Sequence, residues 1–131
     1  MNEELVRKAG TSGINVGVDT EDIIARLRTW SDRFGAEVVS ADAASVQIRF
    51  TRLPEDLGPL GGEIETLCPD IIHQHYGCFD EMFDSMEAAG VPINPADAAL
   101  AEGIDFADPS FPQTLLQRAL ARDKSITLWW D

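Results

Sequence analysis

The chain has 131 residues, of which 44% are hydrophobic and 25% are charged, a composition typical of one folded domain. Its formal net charge is −13 at pH 7. A field of this sign repels nucleic acid and anionic membranes. The sequence has no apolar run of about 18 residues, so it predicts no membrane-spanning helix. The charged N-terminus lacks the apolar stretch of a secretory signal, so we expect a cytoplasmic protein whose cysteines are free thiols.

The first half of the sequence predicts a helix followed by a hairpin. Residues 1–18 contain three glycines and little periodicity, which predicts a flexible lead-in before a single α+β domain over 19–131. Apolar residues then recur at helical spacing from Ile23 to Phe34, and a glycine follows. Residues 36–40 and 46–50 predict two antiparallel strands, since apolar and polar side chains alternate in the second.

The second half predicts several helices and a closing strand. Helices are indicated over 58–67, 79–90 and 95–103, and a further one contains Leu115–Leu120. The apolar run 125–130 predicts a strand that returns to the hairpin. The order predicts an α+β fold, in which a small, mostly antiparallel sheet packs against the helices.

The basic residues are distributed very unevenly. The 65 residues from Leu53 to Gln117 carry thirteen carboxylates and no lysine or arginine, whereas the other 66 residues carry ten acids and ten bases. A continuous acidic block of this size favours a basic protein partner, although each single carboxylate is better explained as a solvated surface residue. Seven of these residues are expected to contact the partner: Asp80, Asp84, Glu87, Asp97, Glu102, Asp105 and Asp108.

Every cysteine and histidine lies between Cys68 and Cys78. Zinc binds these residue types, but the segment has neither the Cys-x-x-Cys nor the His-Glu-x-x-His spacing, so we expect no metal or other cofactor. A nucleophilic thiol is disfavoured because acidic surroundings raise a thiol pKa, and Cys68 is better explained as a core residue. The alternative hypothesis is a metal-dependent or thiol enzyme centred on four residues: Cys68, Asp70, His73 and His75.

Two short motifs resemble a known pattern. The run Leu67-Cys68-Pro69-Asp70-Ile71-Ile72 and the ending Trp129-Trp130-Asp131 are similar to the bacterial family of domain of unknown function 4253. The resemblance covers 25–87 and 113–131. The chain differs in lacking most of the usual N-terminal region and in an acidic insertion near 88–112. The family has no assigned chemistry to transfer.

What the resemblance implies is a biological context. Small acidic bacterial domains of this sort are often immunity proteins encoded beside secreted toxins. We therefore expect a cytoplasmic immunity protein, monomeric or weakly dimeric, and not an enzyme. It would bind and neutralise a basic toxin domain of a contact-dependent or polymorphic toxin system. We expect this toxin to be a nuclease, because a nuclease needs a basic surface to hold its substrate.

Overall fold

The computed structural model describes residues 1–130 and confirms the predicted α+β class. Short 3-10 turns lie at Ile14–Val16 and Tyr76–Cys78. The other elements, in chain order, are α1 Glu3–Ala9, α2 Thr20–Phe34, β1 Glu37–Ala41, β2 Ser45–Arg49, α3 Gly58–Leu67, α4 Asp70–His73, α5 Phe79–Ala89, α6 Pro95–Leu100, α7 Phe111–Asp123 and β3 Ser125–Trp129.

The three strands form one antiparallel sheet in the order β1-β2-β3. Ile48 of the central strand β2 shows the register, since it lies opposite Val38 of β1 on one side and Ile126 of β3 on the other. All three side chains are buried, as are Val46 and Leu128 on the same face. The predicted return of the last strand to the hairpin is therefore confirmed, and one face of the sheet forms the floor of the core.

Helix α2 supplies much of the core above that sheet. Its N-terminus is closed by a capping box, in which the Asp19 carboxylate accepts from the Asp22 N–H and the Asp22 side chain accepts from the Asp19 N–H. Its C-terminus ends at Gly35, whose φ of 63° suits glycine. Between these ends, Trp30 is fully buried and packs near Phe50, with 6.2 Å between ring centroids.

The N-terminal segment differs from the predicted flexible lead-in. Residues 3–9 form helix α1, which packs against α2 and β1 and buries Val6 completely. Because this helix has only one fully buried side chain, its seven residues give no clear hydrophobic period. Its position comes from contacts with distant elements, and periodicity cannot show such contacts.

Residues next to α1 cover the outer edge of β1. The Val38 N–H donates to the Met1 carbonyl at 3.3 Å, and the Asn2 side-chain amide donates to the Val38 carbonyl at 3.4 Å. At the hairpin turn, the Thr11 hydroxyl donates to the Asp42 carbonyl, and the Ser12 N–H donates to the Ala43 carbonyl at 3.2 Å. The segment therefore satisfies backbone groups that an edge strand would otherwise expose.

The segment after Pro69 contains a helix that the sequence patterns did not indicate. Asp70–His73 form the short helix α4, and a 3-10 turn then leads into α5. Ile71 and Ile72 are buried on this turn, so the segment packs into the core through its apolar pair. None of the helices formed by residues 1–130 is long and apolar enough to cross a bilayer.

Candidate functional site

One carboxylate of the acidic block, Glu63, is neutralised by arginines of α2, whereas a large group of the others is not. Glu63 of α3 accepts from Arg26 and Arg33 of α2, each at 2.9 Å. The eight carboxylates between Asp80 and Asp108 form no ion pair with any residue from 1 to 130. These eight unpaired carboxylates lie on α5, α6 and the turns around them, which together we call the acidic surface.

Helix α5 carries the most accessible part of the acidic surface. Asp84 and Glu87 are exposed, and Asp80 is half-buried in the first helical turn, where the helix dipole favours an acid. One Asp80 oxygen, Oδ1, is shielded from solvent and has no hydrogen-bond partner among residues 1–130. On the opposite face only Phe79 is fully buried, so the predicted amphipathic helix is present but its apolar side is partly covered.

The remaining four predicted residues lie on and after α6. Asp97 is half-buried in the first turn of α6, which the Asn94 side chain caps, and Glu102 is exposed. Asp105 and Asp108 have local structural roles, because each carboxylate closes a turn. Asp105 accepts from the Ala107 N–H at 3.0 Å.

Asp108 is held by its neighbour more firmly. Its carboxylate accepts from the Ser110 N–H at 2.9 Å and from the Ser110 hydroxyl at 2.8 Å, and these bonds lower the Asp108 pKa below its ordinary value. Side chains that close turns in this way are typical of Asp in loops. Charge reversal at Asp105 or Asp108 would therefore alter the loop as well as its charge, which makes Asp84 and Glu87 the better probes of binding.

Two arginines of α7 hold this region in place without neutralising its carboxylates. Arg118 donates to the carbonyls of Leu100 and Glu102 at 3.0 and 2.8 Å, and Arg122 donates to the Ala96 carbonyl at 3.1 Å. Arg122 also pairs with Asp123 beside it at 2.8 Å. Carbonyls at the start of α6, at its end and just after it thus receive the guanidinium hydrogens, and the acidic side chains stay available.

A series of aromatic rings fixes the loop before α7 on α5. Phe79 and Phe83 lie 5.7 Å apart between centroids, Phe83 and Phe106 lie 5.9 Å apart, and Phe106 and Phe111 lie 5.1 Å apart. The last two contacts are edge-to-face, a favourable aromatic geometry. The loop between α6 and α7 is therefore anchored by Phe106, which lies between Phe83 of α5 and Phe111 at the start of α7.

The Cys-Pro-Asp motif and the Trp-Trp ending meet in space. The buried Cys68 thiol donates to the Trp129 carbonyl at 3.0 Å, across 61 residues of sequence, and burial raises the pKa of this thiol. Next to it, the Trp130 indole N–H donates to the Leu67 carbonyl at 3.0 Å. These contacts join the α3 end to β3, and a buried thiol bonded to a carbonyl is unsuited to nucleophilic attack.

Asp70 is close enough to Cys68 to raise its pKa further, but neither histidine of the enzyme hypothesis bonds to the Cys68 thiol among residues 1–130. His73 and His75 are exposed, and the Cys78 thiol donates to the His73 backbone carbonyl at 3.3 Å rather than to an imidazole. Desolvation lowers the His75 pKa, an effect that Asp97 opposes. Within residues 1–130 no group of three or more His, Cys, Asp or Glu side chains is arranged to hold a metal ion.

A cleft lies beside β3 and was not predicted from the sequence. Its volume is about 310 Å³, and its lining includes Tyr76 and His75 on one side and Ser125 and Thr127 on the other. Tyr76 is 7% exposed, and its hydroxyl makes no hydrogen bond with any residue between 1 and 130. Burial, with a smaller effect of Asp123, raises the Tyr76 pKa to about 12, so the hydroxyl keeps its proton at neutral pH.

Comparison with known proteins defines the family. No curated protein and no solved structure matches the chain. A family model matches residues 2–131, and this span includes 2–24 and 88–112, which the short motifs did not cover. The family assignment suggested by the resemblance is therefore confirmed, and the match extends beyond the two stretches that the motifs covered. The chain belongs to the family described as Domain of unknown function (DUF4253).

Proposed function

We propose that this protein is an immunity protein that binds a basic toxin domain through the acidic surface and neutralises it. The observation that carries the proposal is the set of eight carboxylates between Asp80 and Asp108, none of which pairs with a base among residues 1–130. Seven ion pairs form within that range, and none of them includes a carboxylate of the acidic surface.

Electrostatics gives the surface a use in recognition. Asp80 and Asp84 are four residues apart on α5, and like charges at that spacing cost a few tenths of a kcal/mol. A lysine-rich surface placed against them would offset this cost and accelerate association. A nuclease domain has such a surface because it must bind phosphates, and an acidic inhibitor competes for it directly.

The acidic surface is also held in a defined shape before any partner arrives. Arg118 and Arg122 bind the carbonyls of α6, and Phe106 packs between Phe83 and Phe111. A surface that is already ordered loses less conformational entropy on binding than a flexible acidic loop would. This order supports recognition of one partner by geometry as well as by charge.

The test uses a charge reversal and a matched control. The partner to be tried first is the basic protein encoded beside this chain, purified as its isolated domain. Asp84→Lys changes the exposed middle of α5, whereas Asp32→Lys changes an exposed residue of α2 whose carboxylate forms no ion pair within residues 1–130. Both variants have a net charge of −11 instead of −13.

We expect Asp84→Lys to weaken binding by roughly tenfold, equivalent to about 1.4 kcal/mol, and Asp32→Lys to change it by less than about threefold. Titration calorimetry at low and high salt measures both, and far-ultraviolet circular dichroism checks that each variant is folded. Equal losses in the two variants would show that net charge alone matters. Absence of any complex at low salt and on co-expression would remove the proposal.

A further inference from the structure

The two outer edges of the sheet are treated differently by the fold. The β1 edge is covered by Met1, Asn2 and residues 11–12, as described above. On the other side, the Phe50 N–H donates to the Lys124 carbonyl and the Trp130 N–H donates to the Ala44 carbonyl, both at 2.8 Å. These two bonds show that the backbone groups of the even-numbered residues at both ends of β3 point toward β2. Because the direction alternates along an antiparallel strand, the N–H and C=O groups of the odd-numbered residues of β3 point away from β2.

Most of this outward-facing backbone on β3 has no partner. The Trp129 carbonyl accepts from the Cys68 thiol, which covers one end of the strand. Ser125 and Thr127 form no hydrogen bond through their outward N–H and C=O groups with other residues from 1 to 130. Thr127 is exposed, and the cleft of about 310 Å³ lies directly against both residues. The edge is therefore open where the cleft begins.

Tyr76 adds a polar side-chain group to the cleft beside the open edge of β3. Its ring is packed against His75 and Phe79, with centroids 4.4 and 5.5 Å away, and the residue is 7% exposed. The Tyr76 hydroxyl bonds to no residue from 1 to 130, and its oxygen is not one of the side-chain atoms that are shielded from solvent without a partner. The ring is therefore buried while the hydroxyl is accessible from the cleft that the residue lines. This arrangement leaves a fixed polar group for a molecule that enters it.

We propose that an extended, basic segment of the partner adds to β3 as a fourth strand, bonding to the backbone of Ser125 and Thr127 and offering a polar group to Tyr76. Addition of a strand to an exposed sheet edge is an established mode of peptide recognition. The inference rests on the proposed function for the basic character of the occupant.

Charge decides between a partner segment and a second copy of this chain. Two copies would each carry a net charge of −13 and repel one another, whereas a basic segment is attracted. Close to the cleft, Asp123 contributes to its lining, and Asp97 is near enough to influence both Tyr76 and His75. Arg122 compensates Asp123 locally, which leaves Asp97 as the unpaired acid for a lysine of the added strand.

The test removes one outward-facing N–H. In Thr127→Pro the lost donor is not part of the ladder with β2, and proline is tolerated on an edge strand at such a position. Thr127→Val is the matched control, because it keeps the N–H and the β-branched shape. The probe is a fluorescent synthetic peptide of alternating lysine and valine, compared with the same sequence N-methylated at alternate amides, which has the same charge but cannot form the ladder.

We expect Thr127→Pro to weaken peptide binding by at least tenfold in fluorescence anisotropy, with Thr127→Val within about threefold of the unaltered protein. N-methylation of the peptide should cause a similar loss. On the unaltered protein, hydrogen exchange at the Thr127 and Ser125 amides should slow when the parent peptide saturates it. This last measurement needs no variant and remains decisive if Thr127→Pro does not fold.

Equal binding of the two peptides, or unchanged exchange at Thr127, would overturn the strand-addition proposal. So would concentration-dependent dimers that disappear in Thr127→Pro, since these would assign the edge to a second copy. The basic toxin domain separates the two proposals: loss of its binding in Asp84→Lys but not in Thr127→Pro leaves only the acidic surface. Loss in Thr127→Pro alone leaves only the strand edge.

Discussion

Gly13 lies beneath the ring of Trp130, and an added methyl group has no room there. A Cβ atom at Gly13 would be 2.4 Å from Trp130 Cδ1 and 2.6 Å from Cγ, whereas carbon atoms in ordinary contact are about 3.5–4.0 Å apart. The backbone itself is not strained by the change, because φ is −122° at this residue. The effect of Gly13→Ala is therefore purely a matter of packing.

The expected loss of stability follows from the contacts that the Trp130 ring loses when it is displaced. Trp130 is 5% exposed, and a shift of about 1 Å would overpack its surroundings at a cost of about 1–3 kcal/mol. The shift would also disturb the 3.0 Å bond from the indole N–H to the Leu67 carbonyl, which adds about 1 kcal/mol. We expect the free energy of unfolding to fall by about 2–4 kcal/mol in total.

Urea unfolding followed by tryptophan fluorescence and circular dichroism measures this change as a lower midpoint at an unchanged slope. Gly62→Ala is the control: its Cβ would have no neighbour within 4 Å on helix α3, so it should be neutral or up to about 1 kcal/mol more stable. A Gly13→Ala protein within about 0.5 kcal/mol of the unaltered one would refute the close packing of Gly13 on Trp130.

Two further predictions concern titratable groups. Tyr76 is the only tyrosine of the chain, so tyrosinate absorbance should rise with a midpoint near pH 12 rather than 10.0. Because the Tyr76 pKa is higher in the folded protein than in the unfolded one, the stability that the neutral hydroxyl contributes should be complete below about pH 10 and lost as the pH rises through about 12. The urea midpoint should therefore fall less steeply with pH in Tyr76→Phe than in the unaltered protein. For the cysteines, a thiol reagent followed by peptide mapping should modify half-buried Cys78 in the native protein and Cys68 only on unfolding, and equal rates would contradict the assignment of Cys68 to the core.

Features set by neighbouring residues could be predicted from the sequence. The cap at Asp19, the buried positions of α2 and the stop at Gly35 all lie within one continuous stretch, and each appears in the structure. The alternation in β2 likewise identified Val46 and Ile48 as buried. Helix α1 was missed because its single fully buried residue gives no period, and because contacts with β1 and α2 position it.

The candidate site was predictable in charge but not in geometry. The absence of lysine and arginine over residues 53–117 indicated unpaired acids. Arg33, which is 30 residues earlier in the sequence, nevertheless pairs with Glu63, so this carboxylate is not unpaired. The cleft at Tyr76 depends on β3, about fifty residues later in the chain, and no local pattern connects the two.

The unequal edges of the sheet limit how this protein can associate with itself. A fibre of strands needs two free edges on each molecule, so that every added copy offers a new place for the next. Within residues 1–130 the N-terminal segment already bonds to Val38 and to the hairpin turn, whereas the β3 side is left open at Ser125 and Thr127. Any association through this sheet would therefore stop after a single addition, giving a closed pair and not a polymer.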